Sequence, residues 1–419
     1  MGRKIQLRLL ISPRMSDKEE HNLIRLPKRV RERLGFGNRS VMLGKGDYHA
    51  SLQIHKAYGP DLQRLAQMLM EGKISEEEAL SVGFVSRTVQ QRLSRKEGEA
   101  TWISDGIGDI TIGCDPEFGL VADNGYLARG DQVMPGSHAA RFGADGPGTE
   151  VRPPPSTNHA ALVANIRKIL ENPPAKADAY KWIGGATFVD PNRVYWFGGH
   201  IHLGRPSQLQ AQYAADVYEK IAVALDSFLG LPLVAFDTPN ANKRRNGCPK
   251  HYGKAGDIRY DYPEGDRFEY RVLSGLWLTH PTLARIVLGV SKCVAETAYN
   301  KLADQKFDLE WAAAPANRAG LLRSMGVSGQ RETASIINAA DPKGLSKDML
   351  AAWEQRLRDL DLYSEYKPEV DALIELVKVS PELVVPQLSL DIKENWYDKN
   401  KPLLREAPGA LQKALETLE

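Results

Sequence analysis

The stretch YWFGGHIHLG, residues 195–204, places two histidines two positions apart between glycines. Successive side chains of a β-strand point to opposite faces of its sheet. We therefore expect His200 and His202 to share one face, with Ile201 and Leu203 packing behind them. The pattern predicts a strand with one chemical face and one apolar face, and the rest of the chain is interpreted around it.

Three further stretches show the same two-residue period. They are residues 112–120 (IGCDPEFGL), with Asp115 and Glu117 on one face; residues 148–153 (GTEVRP), with Glu150 and Arg152; and residues 267–273 (RFEYRVL), with Arg267, Glu269 and Arg271. Charged residues that alternate with apolar ones are typical of half-buried strands. The four stretches together predict one antiparallel sheet whose working face carries carboxylates, imidazoles and guanidinium groups.

Each stretch taken alone also fits an ordinary solvated strand face. Together, however, the four stretches contain no lysine, and they pair acids with arginine or histidine with histidine. Fixed carboxylates beside arginines can hold a divalent cation and a phosphate group together. The combination therefore favours a chemical site over a plain surface.

Length and composition limit the class of protein. A chain of 419 residues predicts two or three domains. The three cysteines, Cys114, Cys248 and Cys293, have no CxxC spacing, which argues against a disulfide scaffold and a thiolate zinc site. No apolar run reaches the roughly 18 residues of a membrane span, and the first residues differ from a secretory leader. We expect a soluble cytoplasmic protein without a membrane partner.

The first hundred residues are basic, with 19 Lys and Arg against 12 Asp and Glu. Strand-like residues 5–11, an amphipathic helical segment within residues 24–36 and strand-like residues 40–43 resemble the swapped-hairpin units of AbrB-type DNA-binding domains. The resemblance implies a small α/β module over residues 1–100 that contacts DNA. The simpler alternative is a solvated basic face. Helices are predicted over residues 61–71 and 75–82, and the module is expected to end near residues 96–99.

The main domain is predicted over residues 101–305. Its helices are expected at residues 160–171, 207–229 and 281–302, whereas the glycine-rich residues 141–148 are expected to form an irregular loop. A second irregular stretch, residues 236–257, carries Arg244 and Lys254 and is expected to bind an anionic substrate. Residues 306–419 are predicted to be mostly helical, with a structural or substrate-capping role.

The chain has neither a Walker loop nor a GxGxxG fingerprint in the required context. Oxygen and imidazole ligands without thiolate suit Mg²⁺ or Mn²⁺ bound partly through nucleotide phosphates. If the protein binds ATP, we expect it to do so through the four strands.

The motifs GCDPEFGL, TEVRP, GGHIHLG and RFEYR, in this order over about 160 residues, resemble those of the glutamine synthetase-like carboxylate–amine ligases. The resemblance is strongest to the phage-encoded type 2 amidoligases. It implies an α+β fold, with a glutamine synthetase-like antiparallel catalytic sheet flanked by helices, and a setting in the cytoplasm of a bacterial host. It also implies that ATP activates a carboxylate as an acyl phosphate, which an amine then converts to an amide.

The resemblance implies a role for each matching residue. Metal ligands would be Glu117, Glu150, His200, Glu269 and Asp115; catalytic residues would be Arg271, Arg259 and Glu269; nucleotide contacts would come from His202, Arg271 and Arg259; and a substrate contact would come from Arg152. The basic character of residues 236–257, rather than the resemblance, adds Lys254 as a nucleotide contact and Arg244 as a substrate contact. Asp115 stands where the synthetases have Glu, which puts its ligand role in question. Because no counterpart of the ammonium-handling loops is evident, we expect the amine on a larger molecule, such as a peptide, a protein, a cell-wall fragment or a polyamine.

Two other functions fit parts of the sequence. A His-x-His strand also begins the site of many zinc amidohydrolases, but that chemistry needs further histidine ligands, and only His251 and His280 follow His202. A nucleic-acid-binding protein with an inactive ligase-like domain would use the basic first hundred residues. The intact set of acids and arginines argues against an inactive domain.

Overall fold

The structure is a computed structural model. It describes residues 4–11, 23–28, 40–43, 50–57, 59–79, 82–85, 100–104, 110–134, 140–191, 193–206, 211–238, 240–247, 253–260, 267–304, 315–379 and 381–418. Two compact units are present, one of Met1–Ile110 with Pro206–Gln210 and one of Thr111–Arg205 with Ala211–Glu419. Within the described ranges, every helix is too short or too polar to cross a membrane.

The first unit contains a closed six-stranded barrel with the strand order β1-β5-β2-β4-β3-β6. Its strands are β1 (Lys4–Ile11), β2 (Leu23–Leu26), β3 (Ser40–Leu43), β4 (Ala50–Lys56), β5 (Val82–Val85) and β6 (Ala100–Ser104). The pairs β1–β5 and β2–β4 are parallel, and the other pairs are antiparallel. Because β6 pairs with β1 and β3, this unit continues past the boundary expected at residues 96–99, which themselves lie outside the described residues.

Two helices accompany the barrel, α1 (Gly59–Met70) and α2 (Glu76–Ala79). The second begins with a capping box, in which the Ser75 N–H donates to Glu78 Oε2 at 2.8 Å and the Glu78 N–H donates to Ser75 Oγ at 3.1 Å. Both predicted helices are therefore present, although α2 is shorter than expected. Of the predicted segment 24–36, the first residues form β2 and helical structure starts at Lys28; the remainder lies outside the described residues.

The second unit contains two antiparallel sheets and a hairpin. One sheet has the order β16-β17-β15-β7, and the other has the order β10-β11-β8-β12 with β9 added to β8. The strands are β7 (Ile112–Cys114), β8 (Glu117–Val121), β9 (Leu127–Ala128), β10 (Phe142–Asp145), β11 (Gly148–Val151), β12 (Lys181–Ile183), β13 (Thr187–Val189), β14 (Val194–Trp196), β15 (Ile201–Gly204), β16 (Ile258–Arg259) and β17 (Arg267–Tyr270).

The prediction of a single strand over residues 112–120 in a single sheet is wrong. The strand breaks at Asp115–Pro116, so that β7 joins one sheet and β8 joins the other. Proline lacks the N–H that would continue the ladder. On either side of it, the Asp115 N–H donates to the His200 carbonyl at 3.4 Å and the Glu117 N–H donates to the Gly198 carbonyl at 2.7 Å. One segment, residues 198–200, therefore joins both sheets.

The irregular loop expected over residues 141–148 is instead a β-hairpin. Strands β10 and β11 pair from Phe142 opposite Val151 to Asp145 opposite Gly148. Only Gly146 and Pro147 form the turn, and Gly146 has a φ of 58°. Glycine at the first position of a two-residue hairpin loop supplies this left-handed backbone without strain. The sequence GPG thus marks a tight turn between two strands.

Helices cover the sheets of the second unit. They are α3 (Gly130–Val133), α4 (His159–Leu170), α5 (Ala175–Asp178), α6 (Ala211–Leu225) with the π-helix Asp226–Gly230, α7 (Leu231–Leu233), α8 (Ala241–Gly247), α9 (Pro281–Asp304), α10 (Pro315–Ser324), α11 (Gln330–Ala339), α12 (Lys347–Arg358), α13 (Lys367–Lys378), α14 (Pro381–Val384), α15 (Ile392–Tyr397) and α16 (Gly409–Glu416). Short 3-10 turns cover Val234–Phe236, Gly275–Thr279, Pro342–Gly344 and Val385–Gln387. The predicted helices 160–171 and 281–302 are confirmed, and the helix predicted over 207–229 is confirmed for its described residues, which begin at Ala211. Residues 236–257 contain α8 where an irregular stretch was expected.

The C-terminal helices pack into the second unit. The indole of Trp353 on α12 donates to the Phe228 carbonyl at 3.0 Å, and that of Trp396 on α15 donates to the Leu278 carbonyl at 2.6 Å. Both tryptophans are almost completely buried. Each large apolar side chain removed from water contributes about 2–3 kcal/mol. The two tryptophans therefore anchor α12 to the π-helix Asp226–Gly230 and α15 to the turn Gly275–Thr279 of the same unit.

We expect Gly199→Ala to reduce the free energy of unfolding by 2 kcal/mol or more, because a Cβ there would lie 2.1 Å from the Ser274 carbonyl oxygen and 2.3 Å from Trp277 Nε1. Gly409→Ala is the matched control, since a Cβ at Gly409 meets no atom within 4 Å. Urea denaturation of both variants measures the effect. Equal stability of the two variants would contradict this account of the junction.

Candidate active site

A cavity of about 550 Å³ lies on one face of the sheet that contains β15 and β17. This volume is in the range of small-molecule sites. Its lining comprises Thr111, Gly113, Cys114, Asp115, Arg141, Asp145, Glu150, Arg152, Pro153, Pro155, His200, His202, Gly204, Arg259, Arg267 and Arg271. In the strand register His202 stands opposite Glu269, and Gly204 stands opposite Arg267. The cavity is therefore lined by polar or charged side chains from each of the four predicted stretches.

Asp115 lies between the two histidines of the opening stretch. Its Oδ1 is 3.1 Å from His200 Nδ1, and its Oδ2 is 3.3 Å from His202 Nε2. One donor atom from each of Asp115, His202 and Glu269 lies within 4.8 Å of the others. These three residues form a first group of potential metal ligands, which we call the aspartate–histidine group.

Glu269 is fully buried and surrounded by positive charge. Its Oε2 lies 2.7 Å from Arg259 Nε and 2.5 Å from Arg259 Nη2. Its Oε1 lies 3.2 Å from Arg271 Nε and 3.1 Å from His200 Nδ1. A buried carboxylate requires such partners, because an uncompensated charge in the interior is costly.

A second group of acids lies at the start of the other sheet. Glu117, Asp145 and Glu150 each place a carboxylate oxygen within 4.8 Å of the others. Glu117 and Glu150 stand opposite each other on β8 and β11, and Glu117 Oε2 accepts the Gly198 N–H at 2.7 Å. Asp145 arrives from the end of β10. We call these three residues the triple-acid group.

Burial and mutual repulsion change the protonation of these acids. Burial raises the pKa of Glu150 to about 9, with a further increase from the charge of Asp115 and opposition from Arg152. Burial also raises the pKa of Glu117, against the effect of His200. For Asp115 burial acts in the same direction, but the imidazoles of His202 and His200 outweigh it and lower its pKa below the usual range. The Arg152–Glu150 ion pair therefore compensates the triple-acid group only in part, whereas the two imidazoles outweigh burial at Asp115.

The donor atoms of both groups fit a hard divalent cation. Carboxylate oxygens with one imidazole are suitable for Mg²⁺ or Mn²⁺. A cation would offset the burial and the repulsion between acids that raise the pKa of Glu150. Cys114 also borders the cavity, but burial raises the pKa of its thiol well above the usual value, so it stays protonated. The residues present therefore fit Mg²⁺ or Mn²⁺ at this site.

Arg152 is tied to the protein rather than directed only into the cavity. Its Nη1 donates to the Ala140 carbonyl and its Nη2 to the Ala144 carbonyl, each at 3.0 Å, and the guanidinium also contacts Glu150. These bonds hold the β10–β11 hairpin against Glu150. Arg152 borders the cavity, but most of its donors are engaged by the hairpin.

Two predicted ligand contacts are not brought to the cavity. Arg244 is completely buried on α8, where it donates to the carbonyls of Val272 at 2.9 Å and Arg271 at 2.7 Å. Lys254 is half-buried in a turn closed by the Asp257 N–H. Neither residue is among the described residues that line the cavity. Arg244 instead supports the backbone that carries Arg271.

The histidines needed for a zinc hydrolase are not gathered here. His280 places its Nε2 3.0 Å from the Lys401 carbonyl oxygen, and burial lowers its pKa to about 4. His251 lies outside the described residues. Of the histidines in the described ranges, the cavity lining contains His200 and His202.

Asp145 and Arg141 were not assigned a role from the sequence, because the hairpin that positions them was interpreted as a loop.

Acids, imidazoles and arginines converging on one cavity define the second unit as an enzyme-like domain. Residues 112–320 match the family described as phage phiEco32-like COOH-NH2 ligase type 2. The chain thus carries a domain of this family, and the domain is an ATP-dependent carboxylate–amine ligase. The match begins at β7 and includes every residue of the aspartate–histidine and triple-acid groups.

Comparisons beyond this family add little. The designed proteins mkDPBB_sym1 and apDPBB_sym_79 are 15% and 16% identical over 24% of this chain and 96% and 97% of theirs, each with a TM-score of 0.18. A bifunctional glutathione synthetase from Pasteurella multocida is 10% identical over 68% of this chain and 54% of its own, with a TM-score of 0.28. These TM-scores are too low to support a conclusion. The curated proteins contain no match to this chain.

We expect Arg244→Ala to lower the free energy of unfolding by about 3 kcal/mol, because two buried carbonyls would lose their charged donor. Lys254→Ala is the control, since Lys254 is half-buried in a turn. Chemical denaturation of both variants measures the difference. If Arg244→Ala kept wild-type stability and lost only ligand affinity, the structural role of Arg244 would be refuted.

Proposed function

We propose that this protein uses ATP with Mg²⁺ or Mn²⁺ to convert a carboxylate to an acyl phosphate, which it then couples to an amine on a larger molecule. The observation that carries the proposal is the convergence of the two acid groups and the cavity arginines within the segment that matches the ligase family. Phosphoryl transfer requires positioned cations more than covalent help from the protein.

The two acid groups would hold the divalent cations. The aspartate–histidine group supplies Asp115, His202 and Glu269, and the triple-acid group supplies Glu117, Asp145 and Glu150. His200 contacts both Asp115 and Glu269 and would orient them, or would itself be a ligand. The bound cations would neutralise the negative charge of the nucleotide phosphates during transfer.

The arginines beside Glu269 would bind the transferring phosphoryl group. Arg271 and Arg259 present planar guanidinium groups to the cavity, and this shape suits phosphate oxygens. In the first step a carboxylate oxygen of the substrate forms a bond to the γ-phosphorus, while the bond from that phosphorus to the β–γ bridging oxygen breaks and ADP leaves. The role of the arginines is to stabilise the charge on the transferred group.

In the second step the amine nitrogen bonds to the acyl carbon, phosphate leaves with the carbon–oxygen bond pair, and the nitrogen loses a proton. Arg267 lies two residues before Glu269 on β17 and lines the cavity, where it is suited to an anionic group of an acid substrate. The amine donor would be a peptide, a protein, a cell-wall fragment or a polyamine. Contact of residues 1–100 with DNA is a separate prediction that does not depend on the ligase step.

We expect metal-dependent binding of a non-hydrolysable ATP analogue, with at least a 10-fold loss in Glu150→Gln. Glutamine resembles the protonated form that the raised pKa of Glu150 favours, so the fold should persist, but it cannot supply a negative charge to a cation. Isothermal titration with Mg²⁺, and with Mg²⁺ chelated, measures the binding. Glu332→Gln, on the exposed side of α11, is the control. An affinity for the analogue that stays the same when Mg²⁺ is chelated and when Glu150 is replaced by Gln would refute the proposal.

We expect Arg271→Lys to lower the rate of ATP turnover by about 100-fold or more while nucleotide affinity changes less, because lysine lacks the planar fork. Release of ADP gives the rate, and analogue titration gives the affinity. Arg285→Lys on α9 is the control, since Arg285 pairs with Glu369 at 3.1 Å away from the cavity lining. An unchanged rate in Arg271→Lys would remove Arg271 from the phosphoryl-transfer step.

A further inference from the structure

Both oxygens of Glu269 are already engaged by cationic side chains of the protein. Arg259 contacts Oε2 through Nε and Nη2, while Arg271 and His200 contact Oε1. A divalent cation that uses Glu269 must therefore compete with at least one of these side chains. Since Glu269 is fully buried, its charge has to be compensated at every stage of that exchange.

The two arginines differ in exposure and in their position in the sheet. The side chain of Arg271 is 25% exposed, and its Nη1 lies 4.0 Å from Asp257 Oδ1. The backbone N–H of Arg271 donates to the Asp257 carbonyl at 2.9 Å. Arg259 has a side chain that is 45% exposed, and it ends the two-residue strand β16 at the edge of the sheet. The guanidinium of Arg259 can consequently leave Oε2 without moving a central strand.

We propose that Arg259 couples cation binding to nucleotide binding by exchanging the Glu269 carboxylate for a phosphate oxygen. The inference rests on the proposed function and assigns a regulatory step to that site. When a cation binds to Glu269, it supplies the compensating charge and repels the guanidinium. A nucleotide phosphate then offers Arg259 a second anion of the kind that guanidinium binds well.

This exchange has a thermodynamic consequence. While Arg259 pairs with Glu269, a cation must displace Arg259 in order to bind Glu269, and a phosphate must draw Arg259 away from Glu269 in order to bind Arg259. Each ligand therefore binds less tightly alone than together with the other. Coupling of this kind is reciprocal. The aspartate–histidine group is then filled by cation and nucleotide together. This coupling limits the binding of free divalent cations at Glu269 in the absence of nucleotide.

The test measures Mn²⁺ binding without nucleotide by isothermal titration in the full-length wild type and in two variants. We expect Arg259→Ala to bind Mn²⁺ at least 10-fold more tightly than the wild type, because Oε2 of Glu269 no longer has a competitor. Arg141→Ala is the matched control: it removes the same charge from the same cavity, but the Arg141 guanidinium donates to the Arg152 carbonyl at 3.1 Å. We expect a change of less than about 3-fold in this control, the general effect of an exposed charge.

A second titration adds the non-hydrolysable ATP analogue. Direct contact between Mn²⁺ and phosphate is common to the wild type and every variant, so the differences in affinity between these proteins isolate the contribution of Arg259. We expect Arg259→Ala to bind the Mn²⁺-loaded analogue about 10-fold more weakly than the wild type, and to show less coupling between the two ligands. The affinity of Arg259→Lys for the Mn²⁺-loaded analogue should lie between those of the wild type and Arg259→Ala. Thermal melting confirms that each variant is folded.

Equal Mn²⁺ affinities of Arg259→Ala and Arg141→Ala, with metal-dependent nucleotide binding intact in the wild type, would overturn the exchange and leave the ligase assignment in place. A wild type that binds neither Mn²⁺ nor the analogue would overturn the proposed function and the exchange with it. Tighter Mn²⁺ binding specific to Arg259→Ala supports the exchange.

Discussion

The site depends on the way in which residues 198–200 are hydrogen-bonded to both sides of Asp115–Pro116. The His200 carbonyl holds the last residue before the proline, and the Gly198 carbonyl holds the first residue after it. Since proline cannot extend the ladder, the chain passes from one sheet to the other at this point. Asp115 and Glu117 therefore belong to different acid groups while remaining two residues apart. Gly199, against the Ser274 backbone, makes room for this junction.

Electrostatics explains why acids and arginines occur together. Glu269 is neutralised by Arg259, Arg271 and His200, whereas Glu150 and Glu117 have raised pKa values because burial is not matched by enough positive charge. The cavity thus has one acid group whose charge the protein compensates and one whose charge it compensates only in part. A divalent cation would be stabilised by both, but at the first group it has to replace an existing partner.

Much of the site could be predicted from alternating residues. The shared face of His200 and His202 and the shared face of Arg267, Glu269 and Arg271 both follow from the two-residue period of strands. The break at Pro116 was missed because IGCDPEFGL keeps that period across the junction between sheets. Asp145 was missed because Gly146 and Pro147 suggested a loop, although the same residues form a tight hairpin turn.

The predicted roles of Arg244 and Lys254 show that local amino-acid composition alone does not identify ligand-binding residues. Basic residues among glycines resemble an anion-binding loop, but burial decides whether a guanidinium faces a ligand or the backbone. Arg244 has no exposed surface and bonds to two carbonyls, a tertiary feature that local sequence does not reveal. The family match supports the ligase chemistry independently of these assignments.

Under the proposed function, both acid groups hold divalent cations beside a nucleotide. The most direct test is a crystal structure of the protein with Mn²⁺ and a non-hydrolysable ATP analogue, with Mn²⁺ located by anomalous scattering. We expect anomalous peaks at the aspartate–histidine group and at the triple-acid group, with phosphate oxygens between them and the cavity arginines. Analogue bound away from these residues, or a cavity with no Mn²⁺ at either group, would contradict the account.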